Sequence, residues 1–124
     1  MGAGQVLKTV LVVDDHDLIR LGICRLLTDV PNITVIGQAS SGEEAISIVR
    51  ELMPDIVFMD IRMPGIGGLE ATQRILSRHP ETKVIVVSAF NDEVYPAKLL
   101  KAGASGYITK NADTEEIKAA VQAV

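Results

Sequence analysis

An α/β fold built on a doubly wound parallel sheet is what this sequence predicts, and three observations carry the prediction. Short β-branched runs alternate along the whole chain with longer stretches whose apolar residues recur at helical spacing. Most of the short runs are nearly continuous in apolar character, which suits parallel strands covered on both faces. Glycine and proline fall between the segments, where the chain must turn. Five repetitions of strand then helix imply right-handed crossovers and helices on both sides of one sheet.

The first pair is a strand over residues 9–13 (Thr-Val-Leu-Val-Val) and a helix over 18–28. A strand over 33–36 and a helix over 43–52 follow, with Ser41 and Glu44 spaced as a capping box. The third pair is 55–59 and 69–78, and the fourth is 83–87 and 95–102. Pro96 lacks an N–H donor, so it must sit in the first turn of that fourth helix or distort it. A weaker strand at 106–108 precedes a helix over 114–124, for which Asp113 and Glu116 form a second capping box. That helix carries Ile117, Ala120, Val121 and Val124 at the spacing of one buried face. Gly37, Gly42, Pro54, Gly65, Gly67, Gly68, Pro80 and Gly103 are all expected between elements. The chain stops inside the last apolar-striped helix without a glycine C-cap, so we expect residues 1–124 to be one domain of a longer protein.

Composition narrows the function classes. At 124 residues and 48% hydrophobic, the chain suits one compact domain with a real core. A net charge of -4 argues against a nucleic-acid-binding surface on this domain, which would need a basic patch. The longest apolar runs, such as 56–59 and 84–87, fall far short of the roughly 20 residues that cross a bilayer. No basic start and apolar stretch follow Met1, and a lone Cys24 forms no internal disulfide, so a soluble cytoplasmic domain is expected. Cys24 lies among Leu21, Ile23, Leu26 and Leu27 and reads as a small packed hydrophobe.

In open α/β sheets ligands bind beyond the carboxyl ends of the strands. Asp14 and Asp15 follow the first strand here, Asp60 ends the third, Ser88 ends the fourth, and Lys110 follows the fifth. Carboxylates brought together would repel and be driven towards protonation unless a cation joined them. Mg2+ is the natural cation, because it takes hard oxygen ligands and shares them with phosphate oxygens. Asp15 and Asp60 are the expected direct ligands, with Asp14 acting through water. A carboxylate can accept a phosphoryl group as an aspartyl phosphate, and Asp60 is the best-placed acceptor. Lys110 can neutralise one phosphoryl oxygen and the Ser88 hydroxyl can donate to another.

Four runs in order, Leu11-Val12-Val13-Asp14-Asp15-His16, Phe58-Met59-Asp60-Ile61-Arg62-Met63-Pro64-Gly65, Ser88-Ala89 and Gly103-Ala104-Ser105-Gly106-Tyr107-Ile108-Thr109-Lys110, resemble the receiver motifs of two-component response regulators. The likeness extends from about residue 8 to the end. The starts Val13-Asp14-Asp15-His16-Asp17-Leu18 and Met63-Pro64-Gly65-Ile66-Gly67-Gly68 further resemble the NarL/LuxR-type branch that bears a helix-turn-helix, in its global-activator (Gac/Uvr) form. The resemblance implies a flavodoxin-like (βα)5 three-layer sandwich with strand order 2-1-3-4-5. It implies phosphorylation of Asp60 by a sensor histidine kinase or phosphotransfer domain, with Mg2+ as cofactor and no turnover of an external substrate. A DNA-binding output domain outside this chain is the implied target of control, and a second copy of the chain is a further candidate partner on phosphorylation. The implied metal set is Asp14, Asp15, Asp60 and the backbone carbonyl of Arg62; Ala89 joins Ser88 and Lys110 as a phosphoryl-binding group. Asn111 follows Lys110 where many members have a cis proline, so a trans peptide and a different loop are expected, since a non-proline cis bond costs about 2.5 to 4 kcal/mol.

Several residues carry two readings. Tyr107 is either a half-buried strand aromatic or a switch that turns inward when Ser88 moves. His16 is expected to make a local or surface hydrogen bond, since imidazole suits zinc better than Mg2+. Arg62 and Phe90 lie two residues past Asp60 and Ser88, where the resemblance implies control of water access. A phosphohydrolase using Asp60 as nucleophile would need substrate-binding elements for which 124 residues leave no room. A nucleotide or flavin carrier would need a glycine-rich phosphate loop where the chain instead has Asp14 and Asp15. An interaction module that takes no phosphate would not need the full set of acids with Ser88 and Lys110.

Overall fold

The computed structural model describes residues 7–88, 98 and 101–124. In chain order it contains β1 (Lys8–Val13), α1 (Asp17–Leu27), β2 (Ile33–Ala39), α2 (Gly42–Leu52), β3 (Ile56–Asp60), α3 (Gly67–Arg78), β4 (Lys83–Ser88), β5 (Gly106–Thr109) and α4 (Thr114–Ala123). The start of the helix expected over 95–102, with Pro96, lies outside the described residues; Lys98, Lys101 and Ala102 are helical.

The strands form one sheet in the order β2-β1-β3-β4-β5, every pair parallel. This is the expected flavodoxin-like topology. Alternation along each strand divides the core between the two faces. Val10, Val12, Ile56, Phe58, Ile85 and Val87 pack with Ile23 and Leu27 of α1 and Ile117 and Val121 of α4. On the other face Leu11, Val13, Val57, Met59, Val84 and Val86 pack with Ala45 and Val49 of α2 and Ala71 and Ile75 of α3. β3 is buried from end to end, as its unbroken apolar run requires. Among the described residues no helix is long and apolar enough to cross a membrane.

Some of the punctuation differs from expectation. Gly37 lies inside β2, where the register with β1 passes from Val10 opposite Val35 to Leu11 opposite Gly37 and skips Ile36. The irregularity, not a turn, uses the glycine. Gly42 opens α2, and Gly67 and Gly68 open α3. Asp113 and Glu116 make a complete reciprocal cap. Ser41 accepts from the Glu44 N–H at 3.0 Å, but the Glu44 carboxylate returns its bond to the N–H of Ser40 at 2.6 Å rather than to Ser41.

Because all the strands run the same way, their carboxyl ends meet along one edge. That edge holds Asp14 just past β1, Asp60 at the end of β3, Ser88 at the end of β4 and Lys110 just past β5.

Candidate functional site

Backbone bonds hold each of these side chains in place. The Asp14 N–H donates to the Ala39 carbonyl at 3.0 Å, tying the end of β1 to β2. One Asp14 carboxylate oxygen, Oδ1, accepts from the backbone N–H of His16 at 2.8 Å, which turns the chain into α1. Ile61 N–H donates to the Val87 carbonyl at 3.1 Å and Gly68 N–H to the Ile61 carbonyl at 2.9 Å, so the chain after Asp60 is pinned against α3. Gly68 is required there: a Cβ at that position would lie 1.9 Å from the Asp60 carbonyl oxygen. Lys110 N–H donates to the Ser88 carbonyl at 2.7 Å and couples the ends of β4 and β5.

The charged groups converge as expected. Lys110 Nζ lies 3.2 Å from Asp14 Oδ2 and 3.2 Å from Asp60 Oδ2. Asp14, Asp60 and Ser88 are buried, and Asp15 is partly exposed. Burial, then the nearby Asp14 charge, pushes the Asp60 carboxyl up from 3.8 to about 6, against the pull of Lys110. Burial also works against the Lys110 ammonium, but Asp60 and Asp14 together outweigh it and hold that lysine above its ordinary value. Asp14 Oδ2, Asp15 Oδ1, both Asp60 oxygens and Ser88 Oγ are buried without a well-formed hydrogen bond among the described residues. Lys110 meets Asp14 Oδ2 and Asp60 Oδ2 only as an ion pair, and so many buried oxygens around one ammonium are costly unless a further ligand meets them.

These donors fit a hard cation. Ligand atoms of Asp14, Asp15, His16 and Asp60 all lie within 4.8 Å of one another. Carboxylate oxygens are what Mg2+ prefers. His16 caps α1 from an exposed position, with Nδ1 3.4 Å from Asp14 Oδ1 and 3.1 Å from Asp15 Oδ1. Both contacts are to the two residues just before it, the local and surface position expected from sequence.

The remaining predicted residues divide. The Lys110–Asn111 peptide is trans, and the loop is held by a bond from Ala112 N–H to the Thr109 carbonyl at 3.0 Å and by a hydrogen bond from the Thr109 hydroxyl to the Asn111 side chain. Lys110 reaches the acids without a proline behind it. Tyr107 is 51% exposed on β5, opposite Val86. The Arg62 side chain is exposed. Ala89 and Phe90 lie outside the described residues. Cys24 is partly buried against the core, and burial pushes its thiol up, away from reactivity.

Known proteins share this arrangement. The family model described as the response regulator receiver domain matches residues 10–122. The response regulator GacA of Pseudomonas viridiflava is 53% identical over 115 residues, which are 93% of this chain and 54% of GacA. UvrY of Escherichia coli K12 is 45% identical over 93% of this chain and 53% of its own length. The chain therefore spans about half the length of these relatives. A LuxR-family two-component regulator from Aurantimonas sp. SI85-9A1 superposes with a TM-score of 0.87 at 36% identity, over 94% of this chain and 84% of that one. The CheX-CheY-BeF3-Mg2+ complex of Borrelia burgdorferi matches with a TM-score of 0.87 at 27% identity, over 98% of this chain and 92% of that one. With the sheet order, the acids at the strand ends and the family match in agreement, the chain belongs to the response regulator receiver domain family, of the kind found in GacA and UvrY.

Proposed function

We propose that this domain takes a phosphoryl group onto Asp60 from a sensor histidine kinase or a phosphotransfer domain. The observation that carries the reading is the Asp60 carboxylate itself: buried at the carboxyl end of β3 and 3.2 Å from the Lys110 ammonium. In the transfer an Asp60 oxygen bonds to phosphorus as the bond between phosphorus and the donor atom breaks, leaving an acyl phosphate and the donor with its electron pair. Lys110 neutralises a developing phosphoryl charge, while the Ser88 hydroxyl and the Ala89 backbone hold the other oxygens. Asp15, Asp60 and the Arg62 carbonyl, with Asp14 through water, would hold Mg2+, which would supply further charge neutralisation there. The fit of the orphaned oxygens to a hard cation supports that choice, as does the structural relative that contains BeF3 and Mg2+.

The modification adds about -1.5 to -2 charge at the carboxyl edge of the sheet. Ser88 closing on the new oxygens and Tyr107 following it inward would shift a population between two states of the β5 face. The exposed Tyr107 leaves room for that change. Arg62 and Phe90 would set water access and so the lifetime of the acyl phosphate. The domain acts as a signalling switch that assists only its own phosphorylation and dephosphorylation. In the longer cytoplasmic protein it would govern a C-terminal DNA-binding domain, with pairing to a second copy as one route. Incubation with Mg2+ and acetyl phosphate, read by intact mass, tests the reading: one phosphoryl group is gained by the parent and none by Asp60→Asn. Gain that is independent of Mg2+, or retained in Asp60→Asn, contradicts it.

A further inference from the structure

We infer that Arg20 is a positioning residue for the acidic pair Asp14 and Asp15, and that the irregularity at Gly37 in β2 supplies its anchor. The inference rests on the Mg2+-site reading above and concerns residues which that reading does not use. The Arg20 guanidinium makes three directed bonds: Nη1 donates to the Asp14 backbone carbonyl at 2.8 Å, Nε to Gln38 Oε1 at 2.9 Å and Nη2 to Asp17 Oδ1 at 2.8 Å. Its side chain is only 15% exposed. One planar group thus ties the end of β1 to β2 and to the first turn of α1. The carbonyl it holds belongs to the peptide that joins Asp14 to Asp15, so fixing that peptide fixes the directions in which both carboxylates leave the chain. Arginine suits the task because its donors are set in a rigid fork, which lysine lacks.

Gln38 reaches Arg20 because β2 skips a residue. Side chains directly opposite each other on adjacent strands share a face of the sheet. Val12, whose side chain packs on the α1 and α4 side, stands opposite Gln38. Had the register of Val10 with Val35 continued, Gln38 would stand opposite Val13, on the face covered by α2 and α3. Passing over Ile36 turns Gln38 to the α1 face, where it shares a groove with Cys24 and Leu27. Gly37 correspondingly faces α2: a Cβ there would stand 3.4 Å from Leu11 Cδ1 and 3.6 Å from Ile48 Cγ2.

Charge and geometry pull in opposite directions here. A guanidinium beside the acidic pair repels a second cation, so its charge alone weakens Mg2+ binding. Whatever support Arg20 gives the site therefore comes through the placing of the Asp14–Asp15 peptide. Asp17 is 80% exposed, so its ion pair with Arg20 adds little. The bonds to the Asp14 carbonyl and to Gln38 are the ones that hold the acids in place.

Titration with MgCl2 followed in the amide spectrum, beside urea unfolding, tests this for the parent, Arg20→Lys, Gln38→Ala, Asp15→Asn and a core control, Val121→Ala. Loss of a residue that orients a metal ligand costs about 10–100-fold in affinity. Arg20→Lys, which keeps the charge and loses the fork, is expected to weaken Mg2+ by about tenfold or more, and Gln38→Ala, which touches neither acid, by about threefold or more. Val121→Ala should lose stability and keep the parental affinity. Parental or tighter Mg2+ binding in Arg20→Lys or Gln38→Ala, with binding still lost in Asp15→Asn, overturns the positioning role and leaves the Mg2+ site standing. Equal weakening in Val121→Ala overturns it too, because affinity would then merely follow stability. Mg2+ binding that survives Asp15→Asn overturns both this inference and the Mg2+-site reading beneath it.

Discussion

Lys110 Nζ lies at the same distance, 3.2 Å, from Oδ2 of Asp60 and from Oδ2 of Asp14. One ammonium thus answers two buried carboxylates, and it answers them incompletely. Asp60 stays raised to about 6 in spite of the lysine, because burial and the Asp14 charge outweigh it. An acceptor held part-way to protonation is poised to gain from any further positive charge.

The first prediction concerns pH. A carboxyl raised from 3.8 to about 6 on folding holds a proton that the unfolded chain has already released. Its stabilising effect is complete below about pH 4 and is lost as pH rises through about 6. Urea unfolding of the metal-free domain should therefore show stability falling across that interval. Asp60→Asn should flatten the fall and raise stability at pH 7 by roughly 1–3 kcal/mol. Added Mg2+ should stabilise the parent at that pH and not the variant. A parent no less stable at pH 7 than at pH 5 would contradict the buried, strained carboxylate.

Lys110→Ala leaves Asp14 and Asp60 facing each other without a cation. The Asp60 carboxyl should then titrate above its parental value, read by carbon NMR of the side chain, and phosphoryl uptake should slow by about 100-fold or more. Uptake at the parental rate would show that the lysine is not part of the transfer.

Ser88 Oγ is buried and has no hydrogen-bond partner among the described residues, so it adds little to the stability of the unmodified domain. Ser88→Ala should be neutral or stabilising by up to about 1 kcal/mol in thermal unfolding. The same variant should still take up phosphoryl while losing the spectral change at Tyr107 and its neighbours on β5. An unaltered spectral change would remove Ser88 from the switch.

Two glycines should respond in opposite directions to alanine. Gly22 lies within α1 with nothing within 4 Å of an added Cβ, so Gly22→Ala should stabilise by about 0.5–1 kcal/mol. At Gly68 the Cβ would enter the Asp60 carbonyl, so Gly68→Ala should cost about 3 kcal/mol and displace the acceptor. Equal effects of the two in denaturant unfolding would contradict the packing of α3 against the end of β3.

The strand order was legible only through the family resemblance, whereas the meeting of Asp14, Asp60, Ser88 and Lys110 was legible because it depends on what ends each apolar run, and that is written in order along the chain. The place of Gly37 was not, because a skipped residue in β2 depends on the neighbouring strand and leaves no local mark. The bond from Glu44 to Ser40 instead of Ser41 was hidden for a similar reason: spacing names the partners of a cap but not which of two adjacent N–H groups the carboxylate reaches. Gly68 read as a turn residue until the 1.9 Å approach to the Asp60 carbonyl showed a steric demand from the end of β3, which the spacing along the chain does not reveal. His16 was visible as a neighbour of Asp15, yet whether its ring turns towards the acids depends on how α1 leaves the sheet.

The central claim is that Asp60 and no other carboxylate carries the phosphoryl group. Phosphorylated domain reduced with borohydride converts an acyl phosphate to homoserine, and peptide sequencing then locates it. Homoserine at position 60 alone is the predicted result. Homoserine at Asp14 or Asp15, or a phosphoryl group that survives borohydride, would contradict the account.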